Sequence, residues 1–262
     1  MDKKIFFLMF CLFSLNAKAV TNLDVLVIYT PEMNTYYSGN PNVRISQIIS
    51  WANVAFQNSS SDVNLNIVGS VMLNLPSGAE VSSALLSSVA DPGNAAVMSL
   101  RDQYKPDMTV YLTKASSSLC GIAYLPKNIG TRVPVYDPLL AVGVVGYDCE
   151  NYVLAHEFGH VLGAGHGLMD TSGGNGFPYS YSRGYGVQSL FVDVMAYQWL
   201  YGSASKLQIF SNPNKTCMGV QCGTTSDNAA IGIKNFAPTA AAYSSCYPTL
   251  TSPKAPGYHF CK

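Results

Sequence analysis

Three of the four histidines in this chain, His156, His160 and His166, lie within eleven residues, and Glu157 directly follows the first of them. Apolar residues recur around them at helical spacing, which predicts a helix over about 151–162 with His156 and His160 one turn apart on the same face. Gly163 follows the last apolar position, where a residue that tolerates positive φ can end the helix and let the chain bring His166 back. The pattern predicts that three imidazoles bind one zinc ion.

Three neutral imidazoles leave one coordination position open, which is the arrangement of a catalytic rather than a structural zinc site. Zinc would polarise a carbonyl group and lower the pKa of water, and Glu157 would act as the general base. The alternative is a buried helix whose histidines are ordinary core residues. That interpretation does not explain why a chain with so few histidines concentrates them at metal-ligand spacing.

The motif H-E-x-x-H-x-x-G-x-x-H resembles the signature of the metzincin metallopeptidases, in which a methionine-containing turn, the Met-turn, follows the histidines. Met195, 29 residues beyond His166, is the candidate for that turn. In some metzincins, the astacins and serralysins, the tyrosine two positions after this methionine is a zinc ligand or an oxyanion donor, and the resemblance implies this role for Tyr197. One position departs from the family pattern, because this chain has Gly167 where relatives usually have an aspartate after the third histidine.

The resemblance extends to other segments, which are similar to bacterial reprolysin-like enzymes and particularly to the peptidyl-Asp metalloendopeptidases: residues 24–31, 120–124, 210–213 and 227–229. It implies protein or peptide substrates and an edge strand at about 120–125 that pairs with an extended substrate. A preference for acidic side chains would need a basic residue in the binding pocket. Arg183 is the nearest candidate downstream of the histidines, and an exposed surface arginine is the alternative interpretation.

We therefore expect a secreted zinc metalloendopeptidase. The main alternative is a secreted binding or adhesion protein that keeps the metzincin fold and the metal but has little or no turnover. A third possibility is zinc-dependent hydrolysis of an amide that is not a peptide bond.

The N-terminus resembles a signal peptide. A short basic start precedes an apolar run over residues 5–15, and Ala17-Lys18-Ala19 fits a small-residue cleavage site, so we expect residues 1–19 to be removed on export. The apolar run is too short to cross a bilayer, which needs about 20 residues. The sequence thus predicts a protein without a membrane anchor that is secreted from the cell or retained in the periplasm.

Charged residues make up 11% of the chain and its formal net charge is zero, against about 25% charged residues in an average soluble protein. A chain with so few positive charges is a poor ligand for nucleic acid. We expect a monomer with protein or peptide partners only.

Six cysteines remain after the predicted signal peptide, and an even number in an oxidising compartment predicts three disulfides among 15 possible connectivities. Cys217 and Cys222 bracket a short turn that contains glycine. A bond between Cys246 and Cys261 would fasten the proline-rich tail. Cys120 with Cys149 then follows by elimination.

Strand-like and helix-like segments alternate before the histidine motif. The predicted strands are 22–29, 63–73, 108–113, 120–125 and 140–147, and the predicted helices are 43–57, 93–104, 151–162 and 228–236. This order predicts an α/β fold with a twisted, mostly parallel sheet and backing helices. The resemblance implies five strands with one antiparallel edge strand, a backing helix and an active-site helix. We expect residues 20–166 to form an N-terminal catalytic subdomain, and residues 167–262 a small irregular C-terminal subdomain with the Met-turn, a C-terminal helix and the disulfide-tied tail.

Overall fold

The computed structural model describes residues 19–75, 80–129, 136–171 and 176–245 and contains one large central sheet. Its strands are β1 (Thr21–Tyr29), β2 (Val63–Met72), β3 (Met108–Thr113), β4 (Gly121–Ala123) and β5 (Val142–Gly146). They are hydrogen-bonded in the order β2-β1-β3-β5-β4. The pairs β1–β2, β1–β3 and β3–β5 are parallel, whereas β4 runs antiparallel to β5 at the edge. The predicted α/β class with a mainly parallel five-stranded sheet is confirmed.

Helices cover both faces of this sheet. They are α1 (Pro31–Tyr36), α2 (Asn42–Ser59), α3 (Ser83–Ala90), α4 (Ala95–Tyr104), α5 (Tyr152–Val161) and α6 (Ala229–Ala240). Successive side chains of a strand point to opposite faces, so β1 contributes to two hydrophobic cores. Leu23, Val25 and Val27 pack with α2, α5 and α6, whereas Leu26 and Ile28 pack with α3 and α4. Burial on both faces explains why β1 has an almost continuous apolar sequence.

Beyond the histidine motif the chain forms short strands, in agreement with its turn-rich sequence. They are β6 (Gly186–Val187), β7 (Phe191–Val192), β8 (Ser205–Lys206), β9 (Asn212–Cys217) and β10 (Val220–Cys222). The first three form one small sheet and the last two form a hairpin. Helix α6 follows, with Asn228 as its N-cap, and packs against β1.

The structure differs from the sequence prediction at several elements. Helices α1 and α3 were not predicted, although Ser82 caps α3 by accepting a hydrogen bond from the backbone N–H of Leu85. The predicted strand 120–125 is regular only over β4. The predicted strand 140–147 begins later because residues 138–140 form a 3-10 turn. Helix α6 continues past Pro238 because its last turn still buries Ala240 in the core.

Disulfides join Cys120 to Cys149 and Cys217 to Cys222, the pairings that we predicted for these cysteines. The predicted Cys246–Cys261 bond, and all of the predicted signal peptide except Ala19, lie outside the described residues. Among the helices that the structure describes, none is both long and apolar enough to cross a lipid bilayer.

A stacked aromatic pair joins the N-terminal core to the C-terminal half. The rings of Phe56 in α2 and Phe210 are 5.0 Å apart between centroids and nearly parallel, and neither side chain is exposed. The substitution Phe56→Ala should lower the free energy of unfolding by about 3–5 kcal/mol, the usual cost of truncating a buried aromatic side chain. Denaturant titration measures this change. Val54→Ala, at an exposed position of the same helix, is the control and should change stability by no more than about 0.5 kcal/mol.

Candidate metal centre

Helix α5 and the turn after it position the three histidines. His156 and His160 are four residues apart in α5, and the helix ends where Gly163 adopts a φ of +88°. A side chain at position 163 would also overlap with the backbone oxygen of Phe177. Glycine is therefore required at this reversal, which brings His166 back beside the helix.

The Nε2 atoms of the three histidines converge on one point. His160 Nε2 lies 2.9 Å from His166 Nε2 and 3.2 Å from His156 Nε2, and the distance from His156 Nε2 to His166 Nε2 is 3.2 Å. The structure therefore brings together all three histidines that the sequence predicts as metal ligands.

The other ring nitrogen of each histidine faces an oxygen acceptor. The Nδ1 atoms of His156 and His160 donate to the backbone oxygens of Val194 and Ala164 at 2.9 and 2.8 Å. His166 Nδ1 lies 2.6 Å from a carboxylate oxygen of Asp170. A carbonyl oxygen can only accept, so the protons of His156 and His160 are on Nδ1, and their Nε2 atoms carry lone pairs.

Burial keeps these imidazoles neutral. It lowers the pKa of His160 to about 3, lowers that of His156 well below its ordinary value, and also lowers the pKa of His166. Neutral nitrogen lone pairs that meet at about 3 Å repel one another unless a cation lies between them. The arrangement therefore fits a metal ion with nitrogen ligands, such as zinc.

Glu157 lies beside this centre and under the edge strand. Its side chain is buried, and its carboxylate occupies the space that a side chain at Gly121 of β4 would need. Burial raises the pKa of Glu157 to about 8, while a nearby positive ion would favour its ionised form. A glycine in the edge strand thus makes room for the candidate general base.

Tyr197 contacts one of the three histidines, and Met195 packs against helix α5. The Tyr197 hydroxyl is 3.0 Å from His166 Nε2, and burial, followed by the charge of Glu157, raises the pKa of Tyr197 to about 12. The hydroxyl therefore remains protonated and can donate a hydrogen bond. Met195 is fully buried, and its sulfur packs directly against Gly159 in the turn of α5 that carries the histidines.

A cleft of about 350 Å³ opens in front of the centre. It is lined by residues 116–121 and by Tyr152, Val153, His156, Glu157, Tyr197 and Trp199. The Cys120–Cys149 disulfide fastens the lining segment 116–121 to the residues just before α5. Trp199 is exposed, and its ring stacks on Tyr197 with 4.2 Å between centroids.

Arg183, the candidate for a basic residue in the binding pocket, lies outside the cleft. Its side chain is mostly buried, and its Nε donates to the Asp227 carboxylate at 2.7 Å. It does not line the cleft. The alternative of an exposed arginine is also wrong, because Arg183 forms a partly buried ion pair.

Sequence reasoning missed two groups around the centre. Asp170, four residues after His166, could have been recognised as a carboxylate close to a candidate ligand. Asp193 and Lys206 gave no comparable signal, because they come together only in the folded chain. Gly167 leaves little room for a side chain, since a Cβ there would lie 3.1 Å from the Tyr201 hydroxyl and 3.2 Å from Ala196 Cβ.

Histidine lone pairs that meet at one point, with a buried carboxylate one residue after the first histidine, are the arrangement that metallopeptidase domains use. Comparison with known proteins identifies the family. Residues 42–167 match the family described as metallo-peptidase family M12B, reprolysin-like, and the chain therefore contains a reprolysin-like metallopeptidase domain of this family.

Two relatives are each named peptidyl-Asp metalloendopeptidase. The protein from Pseudomonas aeruginosa is 31% identical over 226 residues, which cover 78% of this chain and 37% of the relative. The protein from Xanthomonas campestris is 27% identical over 225 residues, which cover 84% of this chain and 51% of the relative. The chain thus spans at most about half of the length of these relatives.

A solved structure described as "Structure of a chaperone-substrate complex" has a similar fold. It matches with a TM-score of 0.66 and 20% identity over 85% of this chain and 35% of that chain. At this identity the similarity concerns the fold alone.

Asp170 should strengthen metal binding, because its carboxylate fixes the ring orientation of His166 and makes the ring a better ligand. We expect Asp170→Ala to weaken zinc affinity about 10-fold to 100-fold, measured by competition with a chromophoric chelator. Asp102→Asn, which alters an exposed ion pair with Lys105, is the control and should leave the affinity unchanged. An Asp170→Ala protein with wild-type affinity would show that the 2.6 Å contact is incidental.

Proposed function

We propose that this chain is a secreted zinc-dependent metalloendopeptidase. The observation that carries the proposal is the convergence of three neutral histidine Nε2 atoms next to the buried carboxylate of Glu157, at the base of an open cleft. The family of residues 42–167 and the names of the two relatives support a peptidase. The relatives' name also refers to aspartate, but Arg183, engaged with Asp227, gives no support for that preference here.

His156, His160 and His166 would hold the zinc ion. Bound zinc supplies a Lewis acid that polarises the scissile carbonyl and lowers the pKa of water. Glu157 would accept a proton from the attacking water and deliver it to the leaving amine. Its position suits this task, because the carboxylate lies against Gly121 of the edge strand β4, with which an extended peptide could pair.

Tyr197 would act as a hydrogen-bond donor to the oxyanion that develops on the scissile carbonyl. Its protonated hydroxyl, 3.0 Å from His166 Nε2, already points at the candidate metal centre. Met195 would form the Met-turn, because its buried side chain supports the turn of α5 between the first two histidines.

We also propose how the chain is processed and divided into subdomains. Residues 1–19 would be the signal peptide, residues 20–166 the catalytic subdomain, and residues 167–262 the C-terminal subdomain. Export into an oxidising compartment agrees with the two disulfides. We propose protein or peptide substrates, a monomer and no membrane anchor.

The decisive test is cleavage of casein by the purified chain. Cleavage should stop when a chelator removes the metal and return when zinc is added. Glu157→Ala should retain zinc by metal analysis and lose about 10²-fold or more of the turnover, the scale of general acid–base catalysis. Full activity of this variant would contradict the role of Glu157. A chain that binds zinc but never cleaves protein would favour the alternative of a binding or adhesion protein.

Tyr197→Phe separates an oxyanion donor from a packing residue, because it removes the hydroxyl and keeps the ring. We expect kcat to fall about 10²-fold to 10³-fold with a much smaller change in KM, as for the loss of a preorganised donor. Steady-state kinetics with a peptide substrate measures both constants. Tyr181→Phe, a tyrosine that does not line the cleft, is the matched control. Wild-type kcat with normal zinc content would make Tyr197 a structural residue.

A further inference from the structure

The backbone of residues 193–196 is held by a buried carboxylate. One oxygen of Asp193 accepts hydrogen bonds from the N–H groups of Met195 and Ala196 at 3.0 and 2.9 Å. The other oxygen accepts from the N–H of Ser211 at 2.8 Å. Asp193 has no exposed surface, so these bonds replace the water that an ionised carboxylate would otherwise need.

Lys206 holds the carbonyl groups of the same segment. Its Nζ donates to the backbone oxygens of Asp193 at 3.0 Å, Val194 at 3.4 Å and Ala196 at 2.5 Å. The N–H groups of the turn thus bind an anion and its C=O groups bind a cation. We call Asp193 and Lys206 together the charged clamp.

The clamp keeps its charges near neutral pH. Burial raises the pKa of Asp193 to about 6 and lowers the pKa of Lys206 to about 8, and the opposite charge of each partner limits the shift of the other. Between these values the carboxylate and the ammonium are both ionised. Their hydrogen bonds to the turn are then of the stronger, charge-assisted kind.

The segment that the clamp holds contacts the metal centre at two places. The backbone oxygen of Val194, which accepts from Lys206, also accepts from Nδ1 of the ligand His156 at 2.9 Å. Ala196, which both clamp residues bind, directly precedes Tyr197. A shift of this turn would therefore move the acceptor that orients His156 and the tyrosine that faces the centre.

Lys206 also contacts helix α5, which carries two of the three histidines. Its Nζ lies 4.7 Å from the ring centroid of Tyr152, which is in α5 one turn before His156 and lines the cleft. Such a cation–π contact adds to the attraction between the two elements. Lys206 thus joins the helix that carries two histidines to the turn that carries Met195 and Tyr197.

We propose that Asp193 and Lys206 are positioning residues for the metal centre, which act through Val194 on His156 and through Ala196 on Tyr197. This inference rests on the proposed function for the role of Tyr197, whereas its effect on metal binding depends only on the three histidines. The competing explanation is that the clamp stabilises the fold without affecting the centre.

The test compares Lys206→Met with Lys234→Met in the full chain. Lys206→Met keeps most of the side-chain stem and removes the three bonds to the turn, whereas Lys234→Met breaks the partly buried ion pair with Asp62 on a different part of the molecule. Zinc affinity is measured by chelator competition, stability by thermal unfolding of the metal-free chain, and kcat and KM with a peptide substrate. Zinc affinity and the kinetic constants are measured well below the unfolding temperatures of all variants.

We expect both variants to unfold at lower temperature, but only Lys206→Met to lose about 10-fold or more in zinc affinity, the scale seen when groups that orient metal ligands are removed. It should also lower kcat more than it raises KM. Lys206→Arg, which restores a cation with several donors, should recover part of the zinc affinity. The proposal is overturned if Lys206→Met loses stability as Lys234→Met does while its zinc affinity and kcat stay within twofold of wild type.

Asp193→Asn tests the clamp from its acceptor side if Lys206→Met does not fold. Asparagine removes the negative charge, and its side-chain N–H group can face the backbone N–H of Ser211, where no hydrogen bond can form. Zinc affinity should therefore fall as it does for Lys206→Met. Wild-type affinity in a folded Asp193→Asn protein would overturn the proposal. If the wild-type chain binds zinc but cleaves no protein, the proposed function fails, and the zinc affinities of these variants still decide whether the clamp positions the centre.

Discussion

The structure depends on holding three nitrogen lone pairs at one point. Nε2 atoms about 3 Å apart repel one another in the absence of a cation, so each ring must be fixed from outside. Val194, Ala164 and Asp170 provide one oxygen acceptor for each Nδ1. These acceptors come from three different segments, and their own positions require the Gly163 reversal, the loop after His166 and the clamped turn.

The distribution of charge reflects the same requirement. Only 11% of the residues are charged, yet the centre is surrounded by the acidic side chains of Glu157, Asp170 and Asp193 and by Lys206. Burying these groups costs free energy, which their hydrogen bonds only partly offset. The packing of the two cores on the central sheet is what stabilises the fold against this cost. Several of the few charged residues are thus buried or half-buried near the candidate metal centre, whereas others, such as Arg101 and Asp107, are buried elsewhere in the fold.

Local patterns predicted the central sheet well, because parallel strands buried on both faces have distinctive apolar sequences. The fully buried strand β3 was predicted with its observed bounds, and α5 within one residue at each end. Helix α3 was missed because it is short and its apolar residues show no clear periodicity. Its N-cap, Ser82, was not recognised in the sequence as the start of a helix. The small sheet of β6 to β8 was missed because two-residue strands are defined by their partners and not by their own sequence.

The sequence by itself determined the candidate ligand set, the candidate base and the Cys217–Cys222 pairing, since helical spacing, a glycine reversal and a short cysteine separation are local properties. The Cys120–Cys149 pairing, across 29 residues, followed only by elimination. Only the tertiary structure decided which groups surround these residues. Asp193 and Lys206 bind the same turn of the chain, and packing sets the path of that turn. Arg183 forms an ion pair with Asp227, 44 residues away in the sequence. Long-range contacts of this kind depend on how whole elements pack against each other, and no local pattern of residues encodes that packing.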